Sequence, residues 1–242
     1  MKPILIIKTG STFPSIKESR GDFEDWIIAG MEIEREKFLI RDVSNGESLP
    51  DYEKISGIVI TGSHANVTEH HDWSERTAEW LPGAVKKEIP LLGICYGHQL
   101  LAHAMGGEVG DNPNGLEFGT VEAHLAEIAQ KDRLFSFLPA KVHLQATHTQ
   151  SIIKLPPGAK LLASTSMDAN HAFRIGHCAW GIQFHPEFDA DIVKRYIEIL
   201  RDYLQAKRLQ PDELIENCFE TPFGKRFLKR FAKVVKSTLS KV

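Results

Sequence analysis

Four short apolar runs rich in β-branched residues constrain the fold of this chain more than any other feature. They are Pro3–Lys8, Lys37–Val43, Gly57–Thr61 and Ile89–Cys95. Runs of this length and composition are typical of strands that are buried on both faces, as in a parallel sheet. Helical patterns lie between them. This alternation predicts an α/β fold with a mostly parallel, doubly wound central sheet flanked by helices.

Two of the intervening helical patterns can be placed directly. Asp22 is a suitable N-cap for a helix whose apolar residues form one stripe up to Met31. A second helical pattern spans Trp73–Lys87 and contains Pro82. Because proline lacks a backbone donor and clashes with the preceding turn, we expect a break or kink there.

The second half of the chain contains five strand candidates that fit antiparallel hairpins at the edge of the main sheet. They are Phe118–Leu125, Lys141–Thr147, Lys160–Ser164, Ala172–Ile175 and Ala179–Phe184. Helical patterns return from Asp189, and the last, Phe223–Val235, has a basic face that we expect to be solvated. We therefore expect a principal domain over residues 1–188 and a helical C-terminal extension over residues 189–242, packed on it.

Composition argues against several classes of protein. The chain has 29 basic and 32 acidic residues and a net charge of −3, unlike the basic surfaces that bind nucleic acid. Its three cysteines are too few for a disulfide framework and suit a reducing compartment. Near the N-terminus, no apolar run is long enough for a signal peptide or a membrane span. We expect a cytoplasmic protein with no nucleic-acid or membrane partner.

The most informative segment is a G-x-C-x-G motif formed by Gly93, Cys95 and Gly97. This pattern is the thiol form of the nucleophile elbow, a sharp turn between a strand and a helix. The helix N-terminus favours negative charge, and a thiolate is the form that attacks a carbonyl carbon. The motif predicts Cys95 as the nucleophile, with the backbone N–H of Tyr96 as an oxyanion donor.

An apolar strand that ends in His185-Pro186-Glu187 provides partners for this thiol. A histidine at the carboxyl end of a strand can project into the crevice where α/β sheets bind ligands. We expect His185 to act as the general acid and base and Glu187 to orient its imidazole.

Taken together, these segments resemble the class I, or triad, glutamine amidotransferases. The resemblance rests on Gly93–Gln99 and on Phe184–Glu187. His148 with the segment Ser151–Gly158 and Ala172–Arg174 is similar to the branch that contains the amidotransferase domain of GMP synthetase. The resemblance implies the flavodoxin-like fold of that family. It also implies attack of the cysteine on the glutamine γ-amide, a γ-glutamyl thioester and release of ammonia, with no cofactor and no metal.

The resemblance also implies roles for further residues. The backbone at Gly62 or Ser63 would complement the Tyr96 oxyanion donor. Residues expected to border the glutamine pocket are Gln99, His148, Glu117 and Gly119. The sequence departs from the family pattern at Ser63–Asn66, and at Gln150, where an acidic residue is usual.

Two alternatives to a glutaminase remain open. No phosphate-binding loop or synthetase module is recognisable, so an amidotransferase would need a separate acceptor subunit. A γ-glutamyl peptidase or hydrolase could use the same triad on a γ-glutamyl conjugate, and a noncatalytic regulatory protein could retain the fold. The histidine-rich segment Glu69–Asp72 has irregular spacing for a metal site, and we expect none there.

Overall fold

The computed structural model describes residues 2–239. In that part of the chain, eleven strands form a nine-stranded sheet and a two-stranded sheet. The strands are β1 (Ile4–Lys8), β2 (Phe38–Asp42), β3 (Gly57–Ile60), β4 (Leu91–Ile94), β5 (Glu108–Asp111), β6 (Glu117–Leu125), β7 (Lys141–His148), β8 (Gln150–Lys154), β9 (Lys160–Ser164), β10 (Ala172–Ile175) and β11 (Ala179–Ile182).

Eight α-helices surround these sheets within residues 2–239. They are α1 (Pro14–Arg20), α2 (Phe23–Met31), α3 (Asp72–Lys86), α4 (Tyr96–Ala104), α5 (Ala190–Ile199), α6 (Arg201–Ala206), α7 (Pro211–Glu216) and α8 (Phe223–Leu239). Asp22 caps α2 in a reciprocal arrangement with Asp25, as the N-cap prediction required.

The main sheet has the strand order β2-β1-β3-β4-β11-β10-β9-β6-β7. The neighbours from β2 to β11 pair in parallel, whereas those from β11 to β7 pair antiparallel. It follows that only β6 and β10 run against the common direction among these nine strands. The predicted α/β class, with a mostly parallel central sheet flanked by helices, is confirmed.

Alternating side chains of the central strands form two apolar cores, one on each face of the sheet. Ile4 and Ile6 belong to the core beneath α2 and α8, while Leu5 and Ile7 belong to the core beneath α3 and α4. Both faces are covered, which explains the continuous apolar character of the runs seen in the sequence.

Two local predictions differ from the structure. Of the break or kink predicted at Pro82, the break is absent: α3 continues through this residue, because its buried residues Leu81 and Ala84 pack in the core and outweigh one missing hydrogen bond. The strands β5 and β8, which pair antiparallel, were not predicted. Strand β5 has the sequence Glu-Val-Gly-Asp and is at most half-buried, so it has no apolar run to signal it.

The last helix belongs to the core of the molecule. Phe227, Leu228 and Phe231 of α8 are fully buried in the same core as Ile4 and Ile6. A division into residues 1–188 and 189–242 stays a prediction, and residues 240–242 lie outside the described part of the chain. Among residues 2–239, no helix combines the length and apolarity needed to cross a membrane.

Candidate active site

Three neighbouring parallel strands end at one crevice. Gly62 follows β3, Cys95 follows β4 and His185 follows β11, and these strands are adjacent in the sheet. The carboxyl ends of parallel strands meet at the same edge, where open α/β sheets bind their ligands. Sheet topology therefore brings together residues that lie far apart in the sequence.

Cys95 occupies a strained turn between β4 and α4. Its backbone has φ 50° and ψ −100°, in a region that residues with a side chain rarely adopt. Its N–H donates to the Ile182 carbonyl of β11 at 2.8 Å. A methyl group on Gly93 would lie 2.3 Å from the carbonyl oxygen of Gly97. The turn therefore requires glycine at position 93, and it has the geometry expected of a nucleophile elbow.

His185 is held by its backbone and by a carboxylate. Its N–H donates to the Gln145 carbonyl at 2.8 Å, and its Nδ1 lies 2.8 Å from Oε1 of Glu187. Burial disfavours the charged ring, but the Glu187 carboxylate and the Cys95 sulfur outweigh burial and raise the pKa of His185 to about 10. The imidazole is thus protonated at neutral pH.

Cys95 and His185 lie close together beside Gly62. A methyl group on Gly62 would lie 3.1 Å from Cε1 of His185 and 3.8 Å from Cβ of Cys95. The Cys95 sulfur lies 3.9 Å from the carbonyl oxygen of Thr147. The structure therefore places the three residues of the predicted triad, the third being Glu187, in one cluster.

The segment after β3 is oriented by two threonine hydroxyls. Oγ1 of Thr9 and Oγ1 of Thr61 both donate to the carbonyl of Gly62, each at 3.0 Å. Because a trans peptide is planar, the Ser63 N–H points the opposite way from this bonded carbonyl. Tyr96 is the first residue of α4, and its N–H has no partner within its own helix.

A cavity of about 350 Å³ opens beside Cys95. Gln99 and His148 line it, as expected for the glutamine pocket. Nε2 of Gln99 donates to the Gln150 carbonyl at 2.8 Å and to Oε1 of Gln183 at 2.9 Å. Both of its amide hydrogens are therefore used, and its oxygen can only accept a hydrogen bond from a ligand.

His148 is fixed in the wall of this cavity by two acceptors. Its Nδ1 lies 2.9 Å from the Gln150 carbonyl and its Nε2 lies 2.8 Å from Oε2 of Glu117. Thr165 donates to the other Glu117 oxygen at 2.6 Å. Burial would raise the pKa of Glu117, but His148 and His171 outweigh it and hold this pKa below its usual value. A carbonyl and a carboxylate therefore lie one at each ring nitrogen of His148, and they hold the imidazole in one orientation.

Two residues expected at the pocket lie outside the cavity lining. Glu117 lies behind His148 and contacts it, so any effect on a ligand would be indirect. Gly119 has φ 110° and faces the sulfur of Cys218, 3.5 Å from where its Cβ would be. Ser63 and Tyr96, in contrast, line the cavity.

Several site residues were not found from the sequence. His171 and Asp168 are buried behind the cavity wall. Nδ1 of His171 lies 3.5 Å from a carboxylate oxygen of Glu117 and 3.5 Å from one of Asp168. On another side of the cavity, Phe13 and Tyr196 contribute aromatic rings. None of these residues belongs to a motif, although Tyr196 lies in the helical pattern that begins at Asp189, and the structure buries it.

The histidine-rich segment after β3 forms hydrogen bonds at the surface. Nδ1 of His70 lies 2.8 Å from Glu75, and Nε2 of His103 lies 3.1 Å from the other oxygen of that carboxylate. Among the described residues, this group and the buried Glu117, His148 and His171 are the two whose ligand atoms lie near enough together to hold a cation. In each group a histidine already forms a hydrogen bond with the carboxylate, His70 and His103 with Glu75 and His148 with Glu117.

Comparisons with known proteins agree with this geometry. The sequence profile described as glutamine amidotransferase class-I matches residues 30–198. A GMP synthase of Aeropyrum pernix is 35% identical over 59% of this chain, which spans only 25% of that protein. Gamma-glutamyl peptidase 4 of Arabidopsis thaliana is 29% identical over 73% of this chain and 72% of its own length.

A solved structure extends the likeness over the entire chain. The crystal structure of a glutamine amidotransferase from Thermotoga maritima superposes with a TM-score of 0.71 and 25% identity, and it covers 100% of this chain and 98% of its own. Together with the elbow at Cys95 and the family match over most of the sequence, this places the chain in the class I glutamine amidotransferase family.

Proposed function

We propose that this chain hydrolyses the γ-amide of glutamine or of a γ-glutamyl compound through a cysteine thioester. The observation that carries the proposal is the convergence of Cys95, His185 and Glu187 at the edge of a ligand-sized cavity. A thiol, a protonated imidazole and an orienting carboxylate are the parts that nucleophilic acyl transfer requires.

In the first half of the reaction, the Cys95 thiolate forms a bond to the γ-carbonyl carbon. The carbonyl oxygen becomes an oxyanion, for which the N–H groups of Ser63 and Tyr96 are the proposed donors. The C–N bond then breaks, and the leaving nitrogen takes a proton from His185. The products of this half are ammonia or an amine and a γ-glutamyl thioester on Cys95.

In the second half, water replaces the amine. His185, now neutral, accepts a proton from the attacking water, and the C–S bond breaks to release glutamate. The thiolate and the imidazolium are restored together. Glu187 holds the imidazole in one orientation throughout and stabilises its positive charge.

Glutamine is the first candidate substrate, with ammonia as the product. In that case ammonia would pass to a separate acceptor enzyme, and the relatives named GMP synthase support such a partner. The partner would dock over the cavity mouth and enclose a path for ammonia.

A γ-glutamyl conjugate is the second candidate substrate. The chain matches most of the length of gamma-glutamyl peptidase 4, whereas it spans a quarter of the GMP synthase. The chemistry is the same up to the leaving group, so the triad supports both candidates equally.

Substitution of the nucleophile tests the proposal. Glutamate release from glutamine should fall by about 10⁴-fold or more in Cys95→Ala, in line with the loss of a triad nucleophile elsewhere. A diazoketone analogue of glutamine should label Cys95 in the native chain, as read by peptide mass spectrometry.

Cys178→Ala is the matched control, since this buried thiol donates to the Glu88 carbonyl far from the cavity. It should keep the native rate. Turnover that survives in Cys95→Ala, or label found on Cys178 or Cys218, would contradict the nucleophile assignment.

A further inference from the structure

The cavity beside Cys95 has two chemically different walls. One is polar and comes from α4 and the turn between β7 and β8; it contains Gln99, Thr147, His148, Thr149 and Gln150. The other is mostly apolar and comes from the N-cap of α1, the segment after β3, and α5 and α6 with the residue between them; it contains Phe13, His64, Tyr196, Leu200 and Tyr203. The polar wall has the groups expected to bind an amino-acid head, which leaves the apolar wall without a role in glutamine binding.

The aromatic part of the apolar wall is packed in advance. The ring of Phe13 lies 4.3 Å from that of His64 and 5.0 Å from that of Tyr196, centroid to centroid. The Tyr196 hydroxyl forms a hydrogen bond with Oγ1 of Thr12 at 2.7 Å. Because each ring is held by its neighbours, this surface loses little conformational entropy when a ligand packs on it.

No residue of this wall carries a fixed charge. Burial lowers the pKa of His64, so its ring is neutral at neutral pH. The helices α5 and α6 contribute two tyrosines to the lining, and Leu200 between them contributes a leucine. A surface of this kind favours an uncharged apolar group over an ion.

The wall extends from the nucleophile to solvent. Tyr196 is buried beside the Cys95 end of the cavity, Leu200 follows one turn later, and Tyr203 is 41% exposed. A group attached to the γ-amide nitrogen could therefore lie along α5 and α6 and leave towards water. Ammonia, the leaving group from glutamine, is too small to contact this surface.

We propose that Phe13, His64, Tyr196, Leu200 and Tyr203 form a subsite for an uncharged apolar or aromatic amine, the leaving group of a γ-glutamyl amide. This inference rests on the proposed thiol hydrolysis and decides between its two substrate candidates. Cys95 bonds to the γ-carbonyl carbon, the bond from that carbon to the amine nitrogen breaks, and the nitrogen takes its proton from His185. Water then releases glutamate from the thioester.

Comparison of leaving groups tests this subsite. Glutamate release would be measured for γ-glutamyl benzylamide, glutamine and γ-glutamyl aspartate, so that one product reports all three reactions. The kcat/KM for the benzylamide should exceed that for glutamine by at least about tenfold, because burying the ring adds favourable apolar contact. The cation that contacts this wall is Lys207, whose Nζ lies 5.9 Å from the centroid of the Tyr203 ring at the solvent end. The aspartate conjugate should still be the poorest of the three, since its carboxylates would lie against the uncharged rings of Phe13 and Tyr196 nearer Cys95.

Tyr203→Ser probes the wall at an exposed position where folding is not at risk. It should reduce the benzylamide-to-glutamine ratio of kcat/KM by about fivefold or more. Ile199→Ser is the matched control, because Ile199 is similarly exposed near the end of α5 but does not line the cavity. Its ratio should equal that of the native chain.

The outcomes separate the two levels of the proposal. The apolar subsite would be overturned if hydrolysis depends on Cys95 but favours glutamine over the benzylamide. It would also be overturned if Tyr203→Ser leaves the benzylamide-to-glutamine ratio of kcat/KM unchanged. Either result would leave the thiol mechanism intact. Absence of hydrolysis for all three compounds, together with no diazoketone label on Cys95, would overturn the proposed function itself and the subsite with it.

Discussion

The backbone of Cys95 stores strain that glycine would relieve. Its φ of 50° with ψ −100° is costly for any residue with a Cβ, by about 1–3 kcal/mol. Cys95→Gly should therefore be more stable than Cys95→Ala, by about 1 kcal/mol after the entropy of glycine in the unfolded chain is subtracted. Urea unfolding of both inactive variants measures the difference. Equal stability, or a more stable alanine variant, would show that the turn is unstrained.

The carboxylate of Glu187 sets the pH range over which His185 stays charged. With the pKa of His185 raised to about 10, the imidazolium is lost only as pH rises through that value. Glu187→Gln removes the strongest of the attractions that raise the pKa of His185, so the alkaline limit of activity should move to lower pH. We also expect kcat/KM at neutral pH to fall by about 10²–10⁴-fold.

A pH profile of kcat/KM from pH 6 to 11 measures both effects of Glu187→Gln. The raised pKa also stabilises the fold: this contribution is complete below pH 6.5, the ordinary pKa of histidine, and is lost as pH rises through about 10. If kcat/KM of Glu187→Gln declines at the same alkaline pH as kcat/KM of the native chain, the proposed role of Glu187 is contradicted.

At the scale of elements, the contact between α4 and the end of β3 determines the position of Cys95, the proposed nucleophile. A methyl group on Gly97 would lie 2.7 Å from both the Cβ and the carbonyl oxygen of Ile60. Gly97→Ala should push the first turn of α4 away, lower stability by about 1–3 kcal/mol and reduce kcat/KM by about 10²-fold. Gly110→Ala is the control, because its nearest contact is the Ile153 side chain at 3.3 Å. If kcat/KM of Gly97→Ala equals that of the native chain, the contact between α4 and β3 does not determine the position of Cys95.

The sequence predicts best the elements that are buried on both faces. Strands β1 and β3 appear within a residue or two of their expected bounds, since the chain there is continuously apolar. Strand β5 was missed because its pairing with β8 depends on long-range hydrogen bonds and on few apolar contacts. At Pro82 the local sequence predicts an end to the helix, but packing against the rest of the molecule keeps α3 continuous.

For the candidate site, local motifs lead to the proposed catalytic residues but not to their surroundings. Cys95 and His185 each end a recognisable strand, so topology alone implies that they meet. The packing of His171 against Glu117 joins segments more than fifty residues apart and follows no spacing rule. The sequence does not predict the apolar wall for the same reason, because Phe13 and Tyr196 are in contact in the fold but lie far apart in the sequence.

At the scale of the whole molecule, the last helix supports the site. A methyl group on Gly224, near the start of α8, would lie 2.6 Å from the carbonyl oxygen of Pro186, between His185 and Glu187. Further along, Leu228 is fully buried against Gly30 of α2. The same helix thus contacts the predicted triad at one end and fills the core beyond it.

Two substitutions in α8 should separate these contributions. Gly224→Ala should lower kcat/KM by about tenfold or more, because it displaces the backbone that carries His185. Leu228→Ala should lower the free energy of unfolding by about 2–5 kcal/mol through the cavity it leaves, with kcat/KM within about twofold of native. Urea unfolding and steady-state kinetics of both variants test this. Native kinetics in Gly224→Ala would show that α8 does not support the triad.

The neighbouring positions of β4 and β11 in the sheet have a consequence for how the molecule is made. Ribosomes release the N-terminal part of a chain first, and ninety residues separate Cys95 from His185. Until β11 pairs with β4, Cys95 lacks the His185 side chain that the proposed mechanism requires, and one edge of β4 is unpaired. Under the proposed mechanism, a nascent or truncated chain that lacks β11 has the thiol but not its proton donor, so hydrolysis would begin only after this late strand joins the sheet.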